Sequence, residues 1–270
     1  MKVILSGGMG TATYYGELQN SMDLMDWSPS VSVGIQAFQF PNFIGNRLST
    51  RSELIYFRLH AADKNATNSR VVRNLSFHSD NVEINSTLLM HLLPVSRNFR
   101  RRTYLNAYGF AGGGLLFMNP KTDYQGKAVA LQPLHTEGVR YSRFQFVIPY
   151  GVGVKIFKSA VYNIALEAGW RKTFTDHLDD ASSSGYPNPA TLTSDLARAL
   201  SDRRPEYYAS IGDPRNPSYT DGVRGNPETK DSYMLVSIKL EYYLKSTVDN
   251  MYDKLMIIRV LKRKHRRTYH

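Results

Sequence analysis

The stretch Arg143–Phe157, RFQFVIPYGVGVKIF, decides the fold because its side chains alternate between two faces. One face is aliphatic or aromatic throughout: Phe144, Phe146, Ile148, Tyr150, Val152, Val154 and Ile156. The other is mixed: Gln145, Val147, Pro149, Gly151, Gly153 and Lys155. A period of two residues indicates a β-strand. In water the first face would be an apolar patch larger than soluble proteins expose, which favours a strand that faces lipid.

The same alternation recurs along the chain. It is clear in Val161–Phe174 and Tyr233–Leu244, and weaker in Val31–Phe38, Glu53–His60, Val82–Leu93 and Tyr104–Met118. With the N-terminal segment 2–18, these stretches predict about eight strands, several of them longer than the strands of soluble sheets. Strands of about ten residues suit a tilted crossing of a bilayer.

The connections between these strands alternate in length. The short ones contain FPNFIGNR, PVSRNFRRR and FKSAVYN, and the longest connection spans about 175–230. Outer-membrane barrels have short turns at one end and long loops at the other. Residues 1–244 are therefore predicted to form an all-β, eight-stranded antiparallel transmembrane β-barrel with short periplasmic turns and long extracellular loops. The alternative is a soluble up-and-down barrel or sandwich with inverted faces.

Charged residues of both signs fall on the face opposite the apolar one. They are Arg58, Glu83, Lys155, Glu167, Arg171, Lys239 and Glu241. The lumen of an eight-stranded barrel is just wide enough to be filled by side chains. These residues are therefore predicted to form a structural charge network that fills the lumen, with Arg171 paired to a carboxylate such as Glu167 or Glu241.

The chain of 270 residues has a formal net charge of +11 and no cysteine, which excludes disulfides and thiolate metal sites. Much of the charge lies in the C-terminal segment 245–270, predicted to be a basic periplasmic tail. It is either a solvated tail or an amphipathic segment that docks on an acidic protein or anionic headgroups. The predicted partner-binding residues are Arg100, Arg101, Arg102, Lys262, Arg263 and Lys264. No basic patch with interleaved aromatics appears elsewhere, so no nucleic-acid partner is predicted.

The long loop opens with four residues that resemble a reactive centre: Asp176, His177, Asp179 and Asp180. Their spacing fits neither an EF-hand loop nor a HExxH helix, so they are predicted to cap turns at the barrel rim. No metal, cofactor or catalytic residue is predicted, because the other histidines are scattered away from any nucleophile motif. Further along, TLTSDLARALSDRRP predicts a short helix capped by Thr193 or Ser194 and ended by Pro205.

Five stretches occur in the order found in one known family: Arg73–Ile84, Phe117–Gly138, Phe146–Ile156, Glu167–Asp180 and Arg224–Tyr243. In these stretches the chain resembles the PorG-like (DUF6089) outer-membrane barrels of Bacteroidetes, which are associated with the type IX secretion system. The resemblance extends to about Leu244. It implies a non-enzymatic subunit that anchors a periplasmic ring, formed by a lipoprotein and its partner (PorK and PorN type), to the outer membrane. It also implies roles in protein secretion and gliding motility.

The apolar core Val3–Leu5 is too short for a signal peptide, so the outer-membrane prediction expects the signal peptide to lie upstream of this numbering. Two other functions remain open. One is a small outer-membrane channel or ligand-binding barrel. The other is an enzyme within the barrel, which would need a nucleophile and a base together at the strand rim.

Overall fold

The computed structural model describes residues 3–18, 28–37, 47–66, 69–95, 103–157, 159 and 161–244. Ten β-strands lie in these ranges, in the order β1 (Val3–Tyr15), β2 (Ser28–Ala37), β3 (Leu48–Ala62), β4 (Ser76–His91), β5 (Leu105–Phe117), β6 (Pro120–Tyr124), β7 (Lys127–Ala130), β8 (Phe144–Phe157), β9 (Tyr162–Thr173) and β10 (Ser232–Tyr243). Each strand of the sheet is antiparallel to its neighbours.

Eight of these strands close into a barrel in the order β3-β2-β1-β10-β9-β8-β5-β4, and the β3–β4 pairing completes the ring. The predicted eight-stranded antiparallel barrel is confirmed. The C-terminal ends of β1, β3, β5 and β9 lie at one end of the barrel, which we call the loop end. The C-terminal ends of β2, β4, β8 and β10 lie at the opposite end, the turn end.

Strands β6 and β7 form a hairpin that extends β4 beyond the barrel at the loop end. Sequence reasoning missed this hairpin. Its two-residue turn is Gln125–Gly126, and both residues have positive φ, 49° and 77°. This conformation fits the primed turns that join two-residue hairpins, and the dipeptide Gln-Gly is the signal that could have revealed it.

The outer face of the barrel carries an apolar band between two sets of aromatic side chains. Trp170 and Tyr150 stack near the loop end, with ring centroids 6.4 Å apart. Tyr162 and Tyr242 are register partners near the turn end. Along β9, Trp170 and Tyr162 are separated by about 26 Å of strand, or about 20 Å of height for a strand tilted by about 40°. Aromatic girdles around such a band are typical of membrane-spanning barrels.

Arg58 does not face the lumen, so this part of the predicted network is wrong. Its side chain is 48% exposed on the outer face, and its Nη2 lies 2.7 Å from Asp80 Oδ1. The Tyr56 hydroxyl donates to the same oxygen at 2.9 Å. The physical reason is register: in β3 the odd-numbered residues point inward and the even-numbered residues point outward.

The connection 174–231 folds into a cap over the loop end. It contains helix α1 (Asp195–Ser201) and helix α2 (Arg204–Ser210). The Ser194 hydroxyl caps α1 by accepting from Ala197 N at 3.1 Å, as one of the two predicted caps. Pro205, predicted to end that helix, instead lies in the first turn of α2, where its missing N–H costs nothing.

The cap is packed onto the barrel through apolar side chains. Leu178, Ala181 and Leu200 are fully buried and share one core with Phe57 and Phe77 from β3 and β4. Because of this packing, folded protein covers the loop end of the lumen.

Among the described residues, no helix is long and apolar enough to cross a bilayer.

Candidate functional site

The lumen contains a four-residue ion cluster made by β3, β9 and β10. Arg51 donates to both carboxylate oxygens of Glu167, with Nη2–Oε2 at 3.0 Å. Its Nε lies 3.0 Å from Glu53 Oε2. Lys239 Nζ lies 2.5 Å from Glu53 and 2.7 Å from Glu167. Each cation thus contacts both anions, and the Tyr108 hydroxyl adds a further donor to Glu167.

A second ion pair lies toward the turn end. Lys155 Nζ is 2.7 Å from Glu241 Oε1 and donates to Gln36 Oε1 at 3.2 Å. Asn163 donates to Glu241 Oε2 at 3.2 Å. Lys155 and Glu241 are almost wholly buried.

A third ion pair joins Arg171 to Glu83, with Nε–Oε2 at 3.4 Å. The predicted partners of Arg171, Glu167 and Glu241, are wrong for this contact, because both carboxylates are engaged by other cations. Tyr233 donates to Glu83 Oε2 at 2.7 Å. The partner could not be inferred from sequence, since β4 and β9 face each other only across the closed lumen.

These side chains balance one another in charge. The four cations Arg51, Lys155, Arg171 and Lys239 face the four anions Glu53, Glu83, Glu167 and Glu241, and all eight are buried. Buried ions are tolerated when they are paired and hydrogen-bonded. The network therefore fills the lumen with paired charge instead of lining an open path.

The cap is held by two buried arginines. Arg224 donates to Glu137, to the Asp180 backbone carbonyl and, at 3.0 Å, to the Ser201 carbonyl. Arg73 donates to the Arg224 backbone carbonyl in the cap and binds both oxygens of Asp63 at 2.7 Å. Burial alone would raise the pKa of Glu137, but the Arg224 guanidinium, the His177 ring and the Ser183 backbone N–H together outweigh burial and lower that pKa below its usual value.

Three members of the Asp–His cluster are bound by neighbouring groups. Asp179 accepts from the Tyr14 hydroxyl at 2.7 Å, and Asp180 accepts from the Tyr141 hydroxyl at 2.8 Å. The His177 ring stacks on Tyr141, with centroids 4.5 Å apart. These contacts tie the start of the long loop to β1 and to the connection 118–143. Asp176 differs from them, because neither of its carboxylate oxygens accepts a hydrogen bond.

Two serine–histidine pairs lie among the described residues, where the sequence predicted none. Ser28 Oγ lies 2.6 Å from His60 Nδ1, and Ser49 Oγ lies 3.3 Å from His91 Nε2. Ser28 is only 3% exposed and Ser49 is fully buried, so both hydroxyls are shielded from a substrate in the bilayer or in water. Neither pair therefore offers the accessible nucleophile that acyl transfer requires.

A cleft of about 1120 Å³ opens in the cap between α2 and the end of β1. Its wall includes Tyr186, over which the Arg204 guanidinium stacks at 3.7 Å, and Tyr208, over which Arg215 lies at 4.6 Å. Aromatic faces beside guanidinium groups can hold small anionic or sugar-like ligands.

The predicted partner-binding residues are outside the described residues. These are Arg100, Arg101, Arg102, Lys262, Arg263 and Lys264, together with the predicted tail 245–270.

The closed sheet, the apolar band and the paired lumen define the class: a transmembrane β-barrel with a filled lumen and a folded cap. No known family model matches the chain, and no curated protein matches it, so the resemblance to PorG-like barrels remains a prediction.

The chain is similar in structure to three barrels of known structure. Ail of Yersinia pestis matches with a TM-score of 0.42 and 8% identity, over 90% of this chain and 98% of that one. A major outer membrane protein from Thermus thermophilus matches with a TM-score of 0.43 and 12% identity, over 90% and 98%. Neisserial surface protein A matches with a TM-score of 0.39 and 9% identity, over 89% and 96%. Scores and identities this low carry no information about function.

Proposed function

We propose that this chain is a non-enzymatic outer-membrane barrel that anchors the periplasmic ring of a type IX protein secretion system. The observation that carries the proposal is the buried, charge-balanced lumen network under a folded cap. A barrel filled in this way has no path for solute, which leaves its lipid-facing wall and its ends as working surfaces. The five collinear stretches that resemble PorG-like barrels supply the particular assembly.

A rigid barrel is well suited to act as an anchor. Arg51, Glu53, Glu167 and Lys239 join three strands across the lumen, and Arg171 joins β9 to Glu83 on β4. Load applied at one end is therefore shared by the whole ring of strands. The apolar band resists extraction from the membrane, because each outward residue would have to leave lipid for water.

The basic segments supply the contact to the ring in this proposal. Arg100, Arg101 and Arg102 lie in a short connection, and a short connection faces the periplasm in a barrel of this kind. Complementary charge on an acidic ring protein would guide and orient docking. The tail residues Lys262, Arg263 and Lys264 supply a second basic segment in this proposal.

The test is recovery of the ring lipoprotein and its partner in pull-downs with the intact barrel. Replacing Arg100, Arg101 and Arg102 by serine, combined with deletion of 245–270, is expected to reduce recovery at least about tenfold, which corresponds to about 1.4 kcal/mol. The matched control removes three exposed arginines of the loop end, Arg140, Arg198 and Arg215. Equal recovery with both variants would contradict the anchoring contact.

A ligand-binding barrel is the second candidate, and the cap cleft favours it. An aromatic face and a guanidinium group together suit a sugar phosphate. This function predicts that glucose 1-phosphate raises the melting temperature of the wild-type barrel but not of Tyr186→Ala. An unchanged melting temperature in both proteins would remove this candidate and leave the anchor intact.

A further inference from the structure

We propose that Glu17, Asp176 and Asp231 form a divalent-cation site at the loop end of the barrel, and that Ca²⁺ is the ion it binds. One carboxylate oxygen of each residue lies within 4.8 Å of the others. This spacing lets a single ion contact all three carboxylates after small side-chain shifts. The site is independent of the ring-anchoring function.

The barrel itself brings these residues together. Glu17 follows β1, Asp176 follows β9 and Asp231 precedes β10. In the sheet β10 lies between β1 and β9, with Ser232 as register partner of both Tyr15 and Lys172. The three carboxylates therefore stand where three adjacent strands leave the barrel, and their positions do not depend on the course of a long loop.

The two carboxylate oxygens of Asp176 are buried without a hydrogen-bond partner. The residue is 3% exposed, yet neither of its carboxylate oxygens accepts a hydrogen bond. Glu17 Oε2 is likewise buried without a hydrogen bond. Buried polar groups are almost always satisfied by protein, water or an ion, and an unpaired buried carboxylate is costly. A bound cation would satisfy both residues at once.

The third carboxylate, Asp231, shares its hydroxyl donor with Asp179. The Tyr14 hydroxyl lies 2.8 Å from Asp231 Oδ1 and 2.7 Å from Asp179 Oδ2. A hydroxyl has one proton, so it can donate to only one of these carboxylates at a time. The backbone N–H of Leu178 binds the other oxygen of Asp231 at 2.9 Å. The region therefore holds more negative charge than its donors offset.

Two nearby cationic side chains have hydrogen-bond partners other than the three carboxylates. Lys230 Nζ donates to the Pro227 carbonyl at 3.3 Å, and Arg73 is bidentate with Asp63.

The donor set selects the type of ion. Three carboxylates without histidine or cysteine suit a hard cation rather than Zn²⁺. Ca²⁺ accepts six to eight oxygens in flexible geometry, and water or loop carbonyls can complete its shell. Mg²⁺ demands tighter octahedral geometry, which side chains from three separate strand ends are less able to provide.

The test is calcium binding by the full barrel in a neutral detergent after removal of cations with EDTA. Isothermal titration with CaCl₂ is expected to show one site per chain, with a Kd on the order of 10⁻⁴ M, and Ca²⁺ should raise the melting temperature. Asp176→Asn and Glu17→Gln should each weaken binding at least about tenfold, since each removes one charged ligand. The matched control is Asp123→Asn, whose carboxylate is 75% exposed in the β6–β7 hairpin.

Heat-modifiable gel mobility shows whether each variant has formed a barrel, and Glu17→Gln decides the matter if Asp176→Asn does not fold. The proposal is overturned if the wild-type barrel gives neither heat nor a thermal shift with CaCl₂. It is also overturned if a folded Asp176→Asn or Glu17→Gln variant binds as tightly as Asp123→Asn. Stronger binding of MgCl₂ than of CaCl₂ would overturn the assignment of the ion.

Discussion

Substitution of Glu167 by glutamine tests whether the lumen network stabilises the barrel. Glutamine keeps the shape of the side chain but removes the charge that faces Arg51 and Lys239, both of which are at most 4% exposed. Each cation keeps Glu53 as a partner, so two buried positive charges then share one carboxylate. Breaking a buried ion pair from one side costs about 3–5 kcal/mol. We expect Glu167→Gln to lower the free energy of unfolding by an amount in that range.

The assay is reversible urea unfolding in detergent micelles or lipid vesicles, followed by tryptophan fluorescence. The chain has two tryptophans, and Trp170 lies on the same strand as Glu167. The exposed carboxylate Glu228 provides the control Glu228→Gln, expected to change stability by less than about 0.5 kcal/mol.

A double variant separates charge from packing. Glu167→Leu combined with Lys239→Met removes one charge of each sign, and it should recover much of the loss because apolar groups can replace a buried pair with little net cost. The lumen network does not stabilise the barrel if Glu167→Gln unfolds at the same urea concentration as Glu228→Gln. Replacement of a buried ion pair by apolar groups is also not neutral here if the double variant is less stable than Glu167→Gln by a further amount of about 3–5 kcal/mol, the cost of breaking a second buried pair.

Two further substitutions probe the close strand contact and the cap. Gly112→Ala should prevent efficient refolding, because a Cβ at that position would lie 2.1 Å from a backbone carbonyl oxygen of β4. The control Gly113→Ala should refold normally, because nothing lies within 4 Å of its Cβ. Heat-modifiable gel mobility measures the refolding of both variants. Arg224→Met should release the cap while leaving the barrel folded, because Glu137 and the Asp180 carbonyl lose their donor. Limited proteolysis should then cleave the connection 174–231 at least about tenfold faster than in the exposed-arginine control Arg140→Met, a change that needs only about 1.4 kcal/mol of local destabilisation.

The sequence was sufficient to predict the barrel but not all of its inward face. In β8 the outward residues are apolar along the whole strand, so period-two alternation identifies both faces. In β3 the inward residues change character: Arg51 and Glu53 are charged, whereas Ile55 and Phe57 belong to the core beneath the cap. Because that change reverses the apparent polarity of the two faces, Arg58 was assigned to the wrong side and Arg51 was missed.

The cation site could not be predicted for a different reason. Adjacency in sequence drew attention to Asp176 and its neighbours, but the other two carboxylates come from distant parts of the chain. Glu17 and Asp231 approach only because β1 pairs with β10 in the closed sheet. Sequence periodicity predicts that strands exist, while the position of each strand end in the ring depends on register and closure, which no local pattern encodes.

The change of polarity along β3 also locates the edge of the bilayer. Where lipid surrounds the barrel, the apolar residues face outward, as Leu54 does; where water surrounds it, they face inward, as Phe57 does under the cap. The boundary is therefore expected near Tyr56, one outward position before Arg58.

The chain lacks cysteine, so single spin labels at Leu54→Cys and His60→Cys can test the position of this boundary directly. Oxygen concentrates in lipid, so it should be the main relaxing agent for the spin label at position 54. The water-soluble nickel complex stays in water, so it should be the main relaxing agent for the spin label at position 60. Equal accessibility of both labels to the nickel complex would place β3 outside the membrane and would contradict the argument from side-chain polarity.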